Sequence, residues 1–363
     1  MKNKILLEDI SYIYECLSSK ERERFKDKNI LITGCAGFLG YMFMHFFVLM
    51  AKELGVNKII GLDNFMLRRP QWIDNLTCAH HGLLEVYDFD VICDDVANIG
   101  GSDKIDYVIH LASIASPVFY RQYPIETLDA NVFGLRRLLD FYVNKNISGF
   151  LFFSSSEIYG DPDSANIPTS ESYFGNVSCI GPRACYDEAK RIGETICYLF
   201  ANKFDMPIST VRPFNNYGPG MSINDKRAPA DFAKASFGGR NITIYSDGSP
   251  SRTFCYVSDA IVGYIKALLY GRGEYFNIGI DAPEIKMSEL AEIFVCKAES
   301  VFGNKINFYM EVSTEKDYLT NNPSRRCPNI AKAKEMLGYS PTISVDVGVE
   351  RFLEFIKYSK GQA

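Results

Sequence analysis

Histidine and tryptophan are scarce in this chain of 363 residues: four histidines, at 45, 80, 81 and 110, and one tryptophan. The histidines lack the spacing of a metal site, although adjacent His80 and His81 could take up a stray ion, and no structural metal is expected. Ten cysteines (16, 35, 78, 93, 179, 185, 197, 255, 296 and 327) include no Cys-x-x-Cys pair. Their scatter through apolar and helical runs argues against a disulfide framework or a zinc knuckle and for free thiols in a reducing cytoplasm. No apolar run approaches the roughly 20 residues of a membrane span. The N-terminal stretch "MKNKILLEDISYIYECLSSKERERFKDKN" is amphipathic and charged, unlike a signal peptide. Lys/Arg blocks are absent and the net charge is −5, so neither nucleic acid nor a membrane surface is an expected partner. A small-molecule substrate is the default.

What is present is a chain 47% hydrophobic, enough for one large α/β domain carrying a smaller one. Short β-rich runs at 29–34, 58–63, 83–90, 107–113, 149–155 and 207–213 alternate with helical stretches. Near-continuous apolar strands between helices predict a doubly wound parallel sheet of the Rossmann type. After Pro213 the alternation gives way to the loop "FNNYGPGMSINDKRAP", and "SDAIVGYIKALLYG" then reads as an apolar helix returning to the sheet. The expected organisation is a helical extension over 1–28, a dinucleotide-binding domain over 29–212 with 256–276 returning to it, and a substrate-binding lobe from 213–255 and 277–363.

"LITGCAGFLGYMF" places Gly34, Gly37 and Gly40 at a strand-to-helix turn. Glycines allow a tight turn and close approach of backbone to a pyrophosphate, whose charge meets the N–H groups of the following helix. The next strand ends at Asp63, where a carboxylate can take the ribose hydroxyls and repel a 2′-phosphate, favouring NAD over NADP. Arg68 and Arg69 stand nearby.

"GPRACYDEAKR" sets Tyr186 and Lys190 four apart on a helix, hence on one face. A lysine beside a phenol stabilises phenolate and draws its pKa toward neutrality, so the tyrosine can act as a base on a sugar or alcohol hydroxyl. Ser155, in the strand end "LFFSSSEIYGDP", completes a proton-handling trio.

Taken with "HLAS" (110–113), "RPFNNYGP" (212–219), "SRTFCYVSD" (251–259) and "FNIG" (276–279), these motifs resemble the extended short-chain dehydrogenase/reductase family that modifies nucleotide sugars. "HLASIASPVFYRQYPIETLDAN" and "GNVSCIGPRACYDEAKR" are most similar to its UDP-glucuronate decarboxylases (UDP-xylose synthases). The resemblance spans residues 29 to 357. It implies NAD bound by Gly34, Gly37, Phe38, Leu39, Gly40, Asp63, Asn64, Asp90, Val91, Leu111, Ala112, Ser113, Asn131, Tyr186 and Lys190. It also implies catalysis by Ser155, Glu157, Tyr186, Lys190 and Arg252, and a substrate held by Tyr120, Ser156, Asn215, Arg227, Arg252 and Arg326. A UDP-sugar substrate and a homodimer built by helices flanking the Tyr–Lys segment follow from the same resemblance. Gly220 stands where decarboxylases usually carry arginine, and Ser178-Cys179 where they carry Asn-Pro.

The family shares a first step in which the tyrosine removes the 4-hydroxyl proton while C4 gives hydride to NAD. A 4-epimerase then returns hydride to the other face. A 4,6-dehydratase needs an acid for the departing 6-hydroxyl, supplied by an Asp–Glu pair, and Ser156 stands where that Asp would be. A decarboxylase needs neither, because a 4-keto uronic acid is a β-keto acid; it needs only a proton for C5. The expected activity is therefore decarboxylation of UDP-glucuronate to UDP-xylose or its 4-keto precursor, the alternatives being a 4,6-dehydratase or 4-epimerase, or a non-catalytic NAD-binding protein. An ionised, inward-pointing Glu157 would disfavour the substrate's own carboxylate and reward its loss as CO2.

Overall fold

The computed structural model describes residues 3–311 and 323–360. Of the ranges expected from sequence, residues 1–2, 312–322 and 361–363 lie outside those described. Seven strands form one sheet: β1 (Asn29–Thr33), β2 (Lys58–Asp63), β3 (Leu84–Asp88), β4 (Tyr107–His110), β5 (Gly149–Phe153), β6 (Ile208–Pro213) and β7 (Glu274–Ile278). Their order is β7-β6-β5-β4-β1-β2-β3 and every pairing is parallel. All of β4 and β5 and most of β1, β2 and β6 are buried, as strands covered on both faces must be. The chain reverses its direction of travel across the sheet between β1 and β4. At such a switch point the loops leaving the strands' carboxyl ends splay apart and open a crevice.

Five helices frame the sheet and its crevice: α1 (Lys4–Glu15), α2 (Phe38–Leu49), α3 (Ala184–Phe204), α4 (Val257–Tyr270) and α5 (Val345–Lys360). α2 is apolar on nearly every side, burying Met42, Phe43, Phe46 and Phe47, because it runs through the middle of the core. α4 is the apolar returning helix; it packs on β5, β6 and β7.

The N-terminal segment is structured. Asn3 caps α1 by accepting from the Ile5 and Leu6 N–H groups, and Ile5, Leu6, Ile10 and Ile13 face α2, α4 and α5 from one buried stripe. Asp9 on that stripe is fully buried. It accepts from the Tyr256 hydroxyl at 2.7 Å and from Arg351 Nη2 at 2.6 Å.

Beyond the sheet's carboxyl edge, the strands Ser251–Arg252, Ile285–Lys286 and Arg325–Arg326 form a small sheet of their own. In its parallel pair, Arg326 lies directly opposite Arg252. Like charges facing each other across strands are destabilising, so a compensating anion is required nearby.

Candidate active site

A cavity of about 1520 Å³ opens along the sheet's carboxyl edge. A single small-ligand cleft measures roughly 300–1,000 Å³, so this one has room for two ligands. Its walls include Gly34, Gly37, Phe38, Leu39, Gly40, Asp63, Asn64, Asp90, Val91, Leu111, Ala112 and Ser113 from the ends of the first four strands. Tyr120, Ser155, Ser156, Glu157, Tyr186, Lys190, Asn215, Arg227, Arg252 and Arg326 line it as well. Of the residues singled out from sequence, only Asn131 stands apart, one layer behind. It sits in a π-helical turn, Ala130–Gly134, and its amide donates to Ser113 Oγ at 2.9 Å and to the Thr127 carbonyl at 2.7 Å. Its place is therefore behind Ser113, orienting that hydroxyl.

The first group of walls fits a dinucleotide. Gly34 has φ +67°, and a Cβ there would come within 2.7 Å of the Ala112 backbone nitrogen; a Cβ on Gly40 would lie 2.4 Å from the Cys35 carbonyl oxygen. Any side chain at either position would push apart the turn and the β4 loop it touches. α2 begins at Phe38, and no side chain caps its N-terminus, which leaves N–H groups and the positive end of the helix dipole for a pyrophosphate. Asp63 accepts the N–H groups of Ala36 and Phe65, each at 2.9 Å, which fixes its carboxylate at the end of β2. NAD is thus accommodated by the turn, the helix start and Asp63 together.

The proton-handling trio is assembled. Tyr186 and Lys190 share a face of α3, and Ser155, just past the end of β5, lies with them in the cavity wall and counters part of the rise in the phenol's pKa. The Tyr120 ring stacks on Tyr186 with centroids 5.2 Å apart and planes 12° from parallel, which fixes the phenol in the cavity wall. The expectation that Lys190 lowers the phenol's pKa is not met by the protein's own groups. Burial pushes Tyr186 up to about 12, with the Ser155 hydrogen bond pulling it back. Lys190 is itself held down to about 7 by burial. Its ammonium donates to the Phe153 carbonyl at 2.6 Å and stands 5.6 Å from the Tyr186 ring centroid.

Glu157 is ionised but does not act as a lone negative charge. Burial would raise its pKa, yet Arg326 and Arg183 hold it down at about 2. Arg326 grips it with two nitrogens, at 2.5 and 2.6 Å, and Arg183 Nη2 donates to Oε2. Here is the anion that lets Arg326 and Arg252 face each other across their strands. Arg183, Arg252 and Arg326 stand around Glu157 and Asp187, so the charge of Glu157 expected to repel a substrate carboxylate is offset by the arginines, which outnumber the two acids. A carboxylate held near 2 is also a poor acid and a weak base. Glu157 thus holds Arg183 and Arg326 together in the cavity wall.

Arg252 donates to the carbonyls of Ser251 and Ser324 at 2.8 and 3.0 Å and to that of Pro323. Burial and the neighbouring Arg326 lower its pKa to about 9. Arg227 is paired through two nitrogens with Asp225, at 2.5 and 2.8 Å. A side-on pair of this kind leaves the third guanidinium nitrogen for a ligand. Asn215 sits at φ +44° with its amide on the Thr253 carbonyl, 2.9 Å away.

Arg183 and Asp187 escaped the sequence reading, although both lie inside the quoted Tyr–Lys motif. Their four-residue spacing on a helix, arginine first, was the available signal. What the spacing could not reveal is the third member, Glu157, which approaches from another element.

Residues 30–279 match the NAD dependent epimerase/dehydratase family. Among curated proteins, UDP-glucuronic acid decarboxylase 1 of Xenopus tropicalis is 33% identical over 342 residues, covering 94% of this chain and 74% of that protein. UDP-glucuronic acid decarboxylase 6 of Arabidopsis thaliana is 34% identical over 322 residues, 88% of this chain and 86% of the relative. Among solved structures, a variant UDP-glucuronic acid 4-epimerase from Bacillus cereus, in complex with UDP-4-deoxy-4-fluoro-glucuronic acid and NAD, superposes with a TM-score of 0.75. It is 25% identical, the match covering 91% of this chain and 99% of that one. On fold, cavity and sequence alike, the chain belongs to the NAD dependent epimerase/dehydratase family of extended short-chain dehydrogenases/reductases.

Proposed function

We propose that the protein is an NAD-dependent nucleotide-sugar decarboxylase that oxidises C4 of UDP-glucuronate and releases CO2, giving the 4-keto pentose nucleotide or UDP-xylose. The observation that carries this reading is the group of three arginines around Glu157, beside Tyr186 in the cavity. A surplus of guanidinium suits a sugar that bears a carboxylate. A neutral hexose offers no charge to match that surplus.

When bound, NAD would supply the hydride acceptor for C4, held by the Gly34–Gly40 turn, the start of α2 and Asp63. Tyr186 takes the C4 hydroxyl proton, with Ser155 holding the phenol oxygen and Lys190 fixed behind it by the Phe153 carbonyl. The ketone at C4 is β to the C6 carboxylate, so the C5–C6 bond breaks with its electrons flowing into the carbonyl, and CO2 departs. C5 then takes a proton. Arg252, whose pKa is lowered by burial, is the proposed anchor or donor for that step. Ser156 is buried beside Glu157 and offers no acid for a departing hydroxyl.

We assign Tyr120, Asn215 and Arg227 to the substrate, and propose that 29–212 with 256–276 serves the cofactor while 213–255 and 277–363 serve the nucleotide sugar. All ten cysteines are unpaired, which supports a cytoplasmic location. Among the described residues no helix is long and apolar enough to cross a membrane. Exposed Ile125, Phe133, Ile192 and Leu199, on α3 and the helical turns packed against it, support a homodimer.

The test is mass spectrometry of NAD-loaded protein incubated with UDP-glucuronate and, separately, with UDP-glucose. The expected product has lost the mass of CO2 from UDP-glucuronate. An isomer of unchanged mass would make the protein a 4-epimerase. Loss of water from UDP-glucose, with UDP-glucuronate untouched, would make it a dehydratase.

A further inference from the structure

Asp187 has no part in the decarboxylation chemistry, yet it is buried against the arginine group at 5% exposure. Its Oδ2 accepts from Arg183 Nε at a long 3.4 Å, and among the described residues its Oδ1 has no hydrogen-bond partner. Arg183 donates to Glu157 through Nη2, on the same edge of the guanidinium as Nε. Two carboxylates therefore share one edge of a single guanidinium, Glu157 held closely and Asp187 loosely. The titratable groups acting on Asp187 come from four elements. Arg183, Cys185 and Tyr186 lie on or next to its own helix, Glu157 on the turn after β5, Arg326 on its short strand, and Tyr120 on the helix Pro117–Gln122. The buried Tyr120 hydroxyl likewise lacks a partner among the described residues.

Charge counting shows what Asp187 can do. Three guanidiniums oppose two carboxylates when both acids are ionised, and only one when Asp187 holds a proton. We propose that Asp187 is a positioning residue acting through Arg183: its ionisation draws Arg183 away from Glu157 and reduces the positive charge offered to a substrate carboxylate, weakening capture of an acidic sugar nucleotide. This rests on the reading that the substrate brings a carboxylate to the arginines. Burial, reinforced by Glu157, pushes the Asp187 carboxyl up to about 7, so the switch falls near neutrality.

The test measures binding of UDP-glucuronate and UDP-glucose to NAD-loaded protein by titration calorimetry at about pH 6 and about pH 8, on either side of that ionisation. A Tyr186→Phe background blocks turnover. UDP-glucose shares the nucleotide and diphosphate, so the ratio of the two affinities isolates the carboxylate. That ratio is expected to fall about three- to tenfold from the lower pH to the higher, the scale of one partly screened charge. Asp187→Asn should hold the ratio at its low-pH value, and Asp187→Glu should restore the fall with a shifted midpoint. A flat ratio with Asp187 intact, or a fall that persists in Asp187→Asn, overturns the proposal. If Asp187→Asn does not fold, an unshifted midpoint in Asp187→Glu overturns it equally. Should UDP-glucuronate bind no better than UDP-glucose at either pH, the substrate reading itself fails, an outcome separate from a clear preference that ignores Asp187.

Discussion

Replacing Glu157 by glutamine would leave Arg326 buried without its ion-pair partner and Arg183 with only its long contact to Asp187. Removing one partner of a buried pair costs about 3–5 kcal/mol, because the survivor keeps its desolvation penalty, and a native domain has only about 5–15 kcal/mol in total. Glu157→Gln is therefore expected to lower the denaturation midpoint sharply. The pair Glu157→Gln/Arg326→Gln should recover part of that loss, giving a coupling energy of about 1–3 kcal/mol in a double-mutant cycle. Strictly additive losses would show that the two side chains do not depend on each other. At the same scale, Tyr186→Phe removes the hydroxyl proposed as the base in the first step. It should bind NAD normally but give no reduced-nicotinamide absorbance with substrate; retained turnover would remove Tyr186 from the base role. Ser155, Tyr186 and Lys190 were legible in the sequence because helical spacing and a strand end position them locally. The environment of Glu157 was not. Its charge balance depends on Arg183 from α3 and Arg326 from a strand some 170 residues away, and a sequence read along one dimension assigns no partner at that distance.

Among the elements, strands were the easiest to anticipate. Six of the seven lie within the runs "NILITG", "KIIGLD", "LLEVYDFD", "YVIHLAS", "GFLFFSS" and "PISTVRP", and in all but the edge strand β3 burial on both faces demands mostly apolar side chains. β7 was visible only as the motif "FNIG". Its sequence, EYFNI, carries Glu274 and Asn277, and it becomes a strand by pairing with β6, where Glu274 lies opposite Ser209. For α1 the helical pattern was legible and its partners were not. Asp9, which breaks the apolar stripe, turns out to be the contact that ties the helix to Tyr256 and Arg351. Burial raises its pKa to about 6 even though Arg351 opposes this. The unfolded chain would ionise it near 3.9. Between those values the folded state holds the extra proton, so this group's contribution is fully present below the unfolded pKa and is lost as pH rises through about 6. The shift corresponds to about 3 kcal/mol. The stability difference between wild type and Asp9→Asn, measured by denaturant unfolding from about pH 4 to about pH 7, should therefore move against the wild type by about that amount. A constant difference would mean that Asp9 titrates normally and that α1 is only loosely docked.

For the whole molecule, the decisive question is what covers the outer face of α3. The inner face of this helix carries Tyr186 and Lys190 into the cavity, while Ile192 and Leu199 point outward at 42% and 56% exposure. Ile125 and Phe133, at 66% and 57%, extend the apolar surface onto the helical turns packed beside α3. Apolar side chains grouped in this way mark an association surface more often than a solvated one. Two copies related by a twofold axis would bury the same patch on each, as closed dimers do. A stable contact needs roughly 1,200–2,000 Å² in total, an area that two long helices and their neighbouring turns can supply. The protein is therefore expected to run as a dimer in light scattering at micromolar concentration, and Phe133→Asp/Leu199→Asp as a monomer with native circular dichroism. Because α3 bears Tyr186 and Lys190, the proposed base and its partner, on its other side, the monomer should also turn over more slowly while NAD affinity changes little. A wild-type protein that is monomeric across that concentration range, or a double variant that remains dimeric, would move the interface away from α3 and leave its exposed leucine and isoleucine as isolated surface residues.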